Sequence, residues 1–345
     1  MKSNKILILG PQYPIHNDNY GGIVVLFEDF IDYCKSNEIS YIIIDTNKSN
    51  YKNIFFAYLS ILFNFIKNIN KSNHISLHGT AKDYLLIAPI VVIFSKILNK
   101  KITLRKFAGS FYEIYIKSNM INKYLYTYCL KNANYVFFET KYLVEKFSHL
   151  NANTFWWPNS RRKPMNTSKT CVEYSKKFVF ISQIKKTKGI FELIEAAKAF
   201  DTSYTFDIYG PVNDEDFEKI IITNPTINYK GVLSPSLVSN TLLKYDVLIL
   251  PTYHDGEGYP GIILESFSVG IPVISTDFGS IPEIVNDGIN GVLIPIKNVD
   301  ALINAIKLFD YNNYKDFREN SFISFENYES NKIYLSYTNL LNSDI

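Results

Sequence analysis

Val247-Leu-Ile-Leu250-Pro-Thr-Tyr-His254-Asp-Gly-Glu257-Gly-Tyr-Pro-Gly261-Ile-Ile-Leu-Glu265-Ser-Phe-Ser-Val-Gly-Ile-Pro272-Val-Ile-Ser275 fits a strand, a Gly/Pro-rich turn, a helix and a second strand into 29 residues. The short apolar runs Val247–Leu250 and Pro272–Ser275 read as strands buried on both faces. Gly261–Val269 reads as the helix that crosses between them. A strand, a crossing helix and another strand make a parallel pair, the unit of a doubly wound α/β sheet.

Moving outward, the same alternation recurs on both sides. Downstream lie the helix Ile281–Asn286, the strand Gly291–Ile294 and the helix Val299–Phe309. Upstream lie the strands Lys177–Ile181, Tyr204–Tyr209 and Ile227–Tyr229, with helices at Gly189–Phe200 and Ser236–Lys244. Residues 160–175 are polar and basic without periodicity, as an interdomain connection is. Before them a further series begins with Lys5–Leu9 and a turn at Gly10-Pro11, and a helix starts near Gly22. It continues through the strands Tyr41–Asp45, His74–His78, Lys101–Phe107 and Tyr135–Glu139, with helices at 54–68, Tyr84–Leu98 and Asn119–Asn132. Two Rossmann-like domains in tandem are expected, residues 1–160 and 161–313. A tail, 314–345, rich in Tyr and Asn and weakly helical, is free to pack back on the first.

Composition agrees with this reading. At 345 residues the chain exceeds what one core usually organises. Apolar residues at 47%, charged residues at 20% and a mean hydropathy of −0.04 exclude a disordered or fibrous chain. Net charge is polarised: residues 1–160 carry 18 Lys and Arg against 10 Asp and Glu, and the remainder 18 against 23. A basic half suits an anionic partner, although a solvated lysine face gives the same count. Cys34, Cys129 and Cys171 form no C-x-x-C pattern and cannot all pair, which argues against a disulfide framework and for a reducing cytoplasm. The apolar run at the start is too short for a secretory signal. The longest apolar stretch, Ile54–Ile66, falls short of the roughly 20 residues that cross a bilayer.

The turn Glu257–Glu265 carries the densest chemistry. Main-chain N–H groups of Gly258, Tyr259, Gly261 and Ile262, on either side of Pro260, which has none, gather at a helix start, which favours an anionic ligand. Carboxylates beside them suit pairs of sugar hydroxyls. Glu257-Gly-Tyr-Pro…Glu265, Gly270-Ile-Pro-Val-Ile, Gly279-Ser-Ile-Pro-Glu283 and Asp287-Gly-Ile-Asn-Gly291 together resemble the retaining family-4 glycosyltransferases of the GT-B fold, in which two Rossmann-like domains face each other across a cleft. The resemblance implies that Glu265 holds the ribose hydroxyls of a nucleotide sugar, while Glu257 and the following amides hold the transferred sugar. It further implies retention at the anomeric carbon, lobe closure that excludes water, and no required metal or cofactor beyond a nucleoside diphosphate sugar, UDP-linked before GDP-linked.

Ser182-Gln183-Ile-Lys185-Lys186-Thr-Lys188-Gly189 joins a strand to a helix, where a cation neutralises a diphosphate. Lys188-Gly189 matches the family pattern. Gln183 stands where the family has Arg, and Lys185 or Lys186 are the substitutes for that charge. In Gly10-Pro-Gln-Tyr-Pro…Gly21-Gly22-Ile, the double glycine opens a helix and lets main chain approach phosphate. The resemblance places Gly21 and Gly22 beside the leaving diphosphate, with Gly22, Lys188 and Glu257 as the catalytic set. This is not the G-x-G-x-x-G dinucleotide pattern.

Many relatives carry a His where this chain has Phe107 or Ala108, a departure for which His78 is a second candidate. Arg105 is read as an acceptor-side or phosphate contact, or as a surface arginine. Asp214-Glu-Asp216 reads as a cap on the helix Phe217–Ile222 rather than a metal site. Helix 54–68 gathers Phe55, Phe56, Leu59, Leu62, Phe63 and Ile66 on one side, near Lys52, Lys67 and Lys71. Burial against the sheet is the expectation; a helix lying in an anionic membrane interface gives the same stripe.

By resemblance, the acceptor is a lipid-linked saccharide of capsule, O-antigen or another surface polysaccharide, met in the cytoplasm at the inner face of the plasma membrane, with no role for nucleic acid. A nucleotide-sugar epimerase of the same fold and a non-catalytic nucleotide-sugar-binding protein are the alternatives.

Overall fold

The computed structural model describes residues 5–15, 21–164, 173–214 and 226–343. The chain divides into two compact units, residues 1–159 with 333–345, and residues 160–332.

The first unit is built on β1 (Ile6–Gly10), β2 (Tyr41–Asp45), β3 (His74–Gly79), β4 (Lys101–Lys106), β5 (Tyr135–Phe138) and β6 (Thr154–Trp156). All pair in parallel, in the order β2-β1-β3-β4-β5-β6. Side chains alternate across a strand, so both faces need cover. Leu7, Leu9, Ile75, Leu77, Ile102 and Leu104 pack in one core with Ile61, Phe65, Val91 and Leu130 from the helices Ile54–Asn68, Ala88–Ile97 and Met120–Asn132. Ile6, Ile8, Tyr135 and Phe137 pack on the other face with Phe27 and Phe30 of the helix Gly22–Ser36. That face is completed by Tyr334, Tyr337 and Leu341 from the last helix, Ser330–Ser343.

The second unit holds β7 (Lys177–Ile181), β8 (Thr205–Tyr209), β9 (Ile227–Tyr229), β10 (Val247–Leu250), β11 (Val273–Thr276) and β12 (Gly291–Ile294). Their order is β12-β11-β10-β7-β8-β9, again all parallel. The chain leaves β7 toward β8 and β9, then returns to β7's other side as β10. The topological switch point therefore falls between β7 and β10, where an open parallel sheet leaves a crevice beyond its strand ends.

The observed elements differ from the sequence reading at several places. The expected helix Tyr84–Leu98 is two, Ala81–Leu86 and Ala88–Ile97, because Pro89 supplies no N–H to the preceding turn. Phe111–Lys117, Lys141–Phe147 and β6 are additional elements. The segment from Ile281 is a single 3₁₀ turn, Ile281–Glu283. The helix Tyr314–Phe325 stays with the second unit, burying Tyr314, Phe317 and Phe325, and the return to the first begins at Ile333.

Helix 54–68 corrects the burial expectation. The sheet is met by Ala57, Ile61 and Phe65. Phe55, Phe56, Leu59, Phe63 and Ile66 are exposed, and Leu62 is half-buried. The helix is apolar on two sides, so periodicity alone does not choose the inward one.

Candidate functional site

The loops after β7 and β10 flank the switch point and are tied to each other. The Tyr253 N–H donates to the Thr187 carbonyl at 2.8 Å. Thr252 Oγ1 reaches the same carbonyl at 3.3 Å. Thr187 Oγ1 lies 3.1 Å from His254 Nδ1. Gly189 makes this approach feasible: it sits at φ +76°, and a Cβ there would lie 2.1 Å from the Pro251 carbonyl oxygen. Any other residue meets both a left-handed backbone and a clash.

Across this junction Lys188 Nζ pairs with Glu257 Oε2, and Thr252 Oγ1 donates to the same oxygen at 3.1 Å. Side-chain exposure is 12% for Lys188 and 13% for Glu257, enough removal from water to strengthen the pair well beyond a surface one. The two groups expected to meet diphosphate and sugar thus hold each other in place. Burial, followed by the Lys188 charge, keeps the His254 imidazole below its ordinary value.

The helix Gly261–Ser268 follows Pro260 with no side chain capping its start. Its first N–H groups carry the positive end of the helix dipole. Glu265, one turn in, accepts from Arg161 Nε at 2.6 Å, with side-chain exposures of 17% for Arg161 and 22% for Glu265. The guanidinium lies against the helix start, since a Cβ on Gly261 would be 1.7 Å from Nη2. Arg161 is anchored through its own main chain, its N–H donating to the Tyr328 carbonyl and its carbonyl accepting from Ser330.

Tyr259 is 2% exposed; its hydroxyl donates to Glu283 Oε2 and its ring meets Tyr328 edge-on at 6.0 Å. Its side chain braces the turn, leaving main chain as the part it offers to a ligand. Glu283, the acid of Gly279-Ser-Ile-Pro-Glu283, therefore supports the Glu257 loop from behind. Gly258, Gly261 and Ile262 are half-buried. The Ser182 N–H donates to the Tyr209 carbonyl at 3.2 Å, while Gln183 and Lys186 are exposed and Lys185 half-buried.

In the first unit Gly22 opens its helix with Gly21 as an uncapped N-cap, and a Cβ on either glycine would meet nothing within 4 Å. Packing does not demand glycine at either place.

Arg105 is neither a surface residue nor an exposed contact. At 2% exposure it lies 4.1 Å from the Trp157 ring centroid and 4.8 Å from that of Phe107. His78 is fully buried, its Nε2 2.9 Å from Ser76 Oγ and its ring stacked on Phe30 at 5.2 Å. Burial, then the Arg105 charge, holds that imidazole well below its ordinary value. Phe107 is buried and Ala108 adopts φ +72°, its N–H donating to Glu139 Oε2 at 2.9 Å. Asp214 is described, whereas Glu215, Asp216, the expected helix Phe217–Ile222 and Cys171 lie outside the described residues.

Comparison with known proteins bears on this arrangement. Residues 166–322 match the family model described as glycosyl transferases group 1, so the chain carries a domain of that family. An uncharacterised 41.2 kDa protein in the cps region of Klebsiella pneumoniae is 29% identical over 126 residues, 36% of this chain and 34% of that protein. The amylovoran biosynthesis glycosyltransferase AmsK of Erwinia amylovora is 27% identical over 142 residues, 35% of this chain and 33% of its own length. The matched segments thus span about a third of these curated relatives. The crystal structure of Anabaena Alr3699/HepE in complex with UDP shares the fold at a TM-score of 0.73 and 14% identity, over 99% of this chain and 100% of that one. Two parallel-sheet Rossmann-like units of the GT-B kind are the fold of the chain.

Proposed function

We propose that this chain, with its glycosyl transferases group 1 domain, is a retaining glycosyltransferase that moves a hexose-type sugar from a nucleoside diphosphate sugar to a hydroxyl of a lipid-linked saccharide, in the synthesis of a surface polysaccharide. The observation that carries the proposal is the Lys188–Glu257 pair at the switch point, in the turn that leads to the uncapped helix carrying Glu265.

Glu265 accepts from the ribose hydroxyls and Glu257 from hydroxyls of the sugar. Lys188, the N–H groups of Gly258, Gly261 and Ile262, and the main chain at Ser182 and Gln183 receive the diphosphate. In the reaction the bond from the anomeric carbon to the diphosphate oxygen breaks, and the acceptor oxygen bonds to the same face. The acceptor proton passes to the leaving phosphate. No side chain serves as a covalent nucleophile. Charge that develops on the departing diphosphate meets preorganised N–H dipoles and an ammonium, the electrostatic contribution that usually dominates such catalysis.

UDP is the first choice of nucleotide, supported by the UDP complex of the similar fold, and GDP the second; no metal is required. The chain works in the cytoplasm at the inner face of the plasma membrane. No described helix is long and apolar enough to cross a bilayer, and membrane contact is peripheral.

The test is a melting-temperature screen over nucleoside diphosphates and their sugars, then product analysis of the best donor with and without a lipid-linked saccharide acceptor. The expected result is stabilisation by one nucleotide, which follows from binding to the native state alone, and an acceptor-dependent product of retained anomeric configuration. An epimerised sugar formed without acceptor makes the chain an epimerase. Binding with no turnover makes it a binding protein.

A further inference from the structure

We infer that the outward face of the helix Ile54–Asn68 is a docking surface for an anionic lipid bilayer. Ala57, Ile61 and Phe65, spaced four apart, satisfy packing on the sheet. The opposite arc consists of Phe55 at 64% exposure, Phe56 at 52%, Leu59 at 50%, Phe63 at 67% and Ile66 at 52%. At 100° per residue these five fall within about 100° of the helix circumference, centred opposite the buried stripe. Folding of the first unit does not use them. A contiguous apolar face of this size in water marks an interaction surface.

Charge selects the partner. No acidic residue occurs between Asp45 and Asp83, a stretch with five lysines. Lys48 is paired with Asp83. Lys52, Lys67 and Lys71 are exposed, the first just before the helix and the others at its end. An apolar arc with one exposed ammonium group before it and two at its end matches acyl chains flanked by anionic headgroups. A second copy docked on the same face would bring like charges together across a two-fold axis.

The start of the helix is fixed by Asn53, whose side chain accepts from the Phe56 N–H at 3.0 Å. At 15 residues the helix is roughly 22 Å long, short of a bilayer's hydrocarbon core, so it lies along the interface. The adjoining helix Ala88–Ile97, in contact through Phe65 and Phe94 at 6.4 Å, presents Ile97 at 72% exposure on the same side of the sheet.

The surface rests on the proposed function only for why a bilayer is approached, and its test uses neither donor nor acceptor. The full chain is sedimented with vesicles of phosphatidylcholine containing about 30 mol % phosphatidylglycerol, and with phosphatidylcholine alone. The wild type is expected to partition onto the anionic vesicles and to be released at about 0.5 M salt. Phe55→Ser/Leu59→Ser/Phe63→Ser is expected to lower partitioning about a hundredfold or more. Lys52→Ala/Lys67→Ala/Lys71→Ala, at about fivefold per lysine, is expected to lower it by a similar factor. Both variants keep the wild-type melting temperature, since all six side chains are exposed. Glu257→Gln is expected to lose transfer and keep vesicle binding, which separates failure of the site from failure of the surface.

The inference is overturned if the wild type ignores anionic vesicles, binds neutral ones equally well, or is matched by the triple serine variant. A dimer in analytical ultracentrifugation that the triple serine variant dissolves, without vesicle binding, assigns the face to a second copy and equally overturns it.

Discussion

Each unit places a cation at the carboxyl edge of its parallel sheet, and the two are treated in opposite ways. In the second unit Lys188 faces a carboxylate on a hydroxyl-bearing loop, with 12% of its side chain still exposed. In the first, Arg105 is wrapped by Trp157 and Phe107 under the last helix, and burial pulls its guanidinium down to about 10. Arg105 Nη1 and Trp157 Nε1 have no hydrogen-bond partner among the described residues. Strand position and charge are thus not enough to make a site. A cation becomes useful to a ligand when polar groups converge beside it and water or substrate can reach them, and becomes a packing element when rings close over it.

That contrast breaks most visibly at Glu257. Glu257→Gln is expected to lower turnover by roughly 10²- to 10³-fold, the usual range for loss of one preorganised polar contact, with nucleotide affinity kept within about threefold. Steady-state kinetics beside calorimetric nucleotide binding reads both numbers. A parallel fall in affinity would return Glu257 to a general structural role.

Lys106, beside Arg105 on the buried strand β4, sharpens the other side. Burial lowers its ammonium from 10.5 to about 8, although it donates to the Phe107 carbonyl and sits 4.9 Å from the Phe111 ring centroid. The unfolded chain holds this proton more tightly than the folded one, so the wild type gains stability as pH rises from about 8 to about 10.5 and is penalised below 8. Measured against Lys106→Met, which lacks the titration, the wild type should gain roughly 1–3 kcal/mol between pH 7 and pH 10 in chemical denaturation. A constant difference between the two proteins would show that Lys106 is not desolvated.

The smallest expected effect is at Arg105. Arg105→Met keeps most of the volume and removes a buried charge, and should leave stability unchanged or raise it by up to about 2 kcal/mol. Nucleotide affinity should not move. Destabilisation beyond about 2 kcal/mol, or weakened nucleotide binding, would bring the first unit's cation into the functional set.

Most of the fold is legible in the sequence because a parallel strand buried on both faces writes itself as an uninterrupted apolar run. Val247–Leu250 and Ile6–Leu9 are of that kind, and Gly/Pro turns mark their ends. Lys101-Ile-Thr-Leu-Arg105-Lys106 is also a strand, yet its charges give no hint that rings from Trp157 and Phe107 bury Arg105. The outward stripe of helix 54–68 is as apolar as the inward one, so only the sheet's position distinguishes them. At the site, Glu257, Glu265 and Lys188 stand in recognisable strand-to-helix turns. Arg161 does not: it lies in an aperiodic polar connection, and its bond to Glu265 spans 104 residues. The surplus of basic residues in Arg161-Arg-Lys163 was the one available signal, and a solvated linker carries the same surplus.

Isothermal titration of UDP into the wild type, Glu265→Ala and Arg105→Met tests most directly whether the second unit's turns hold the donor. The wild type should bind at one site, Glu265→Ala should bind at least about tenfold more weakly, as loss of a charge-assisted pair of hydrogen bonds requires, and Arg105→Met should bind as the wild type does. Failure of both UDP and GDP to bind, or equal affinity of Glu265→Ala and the wild type, would contradict it.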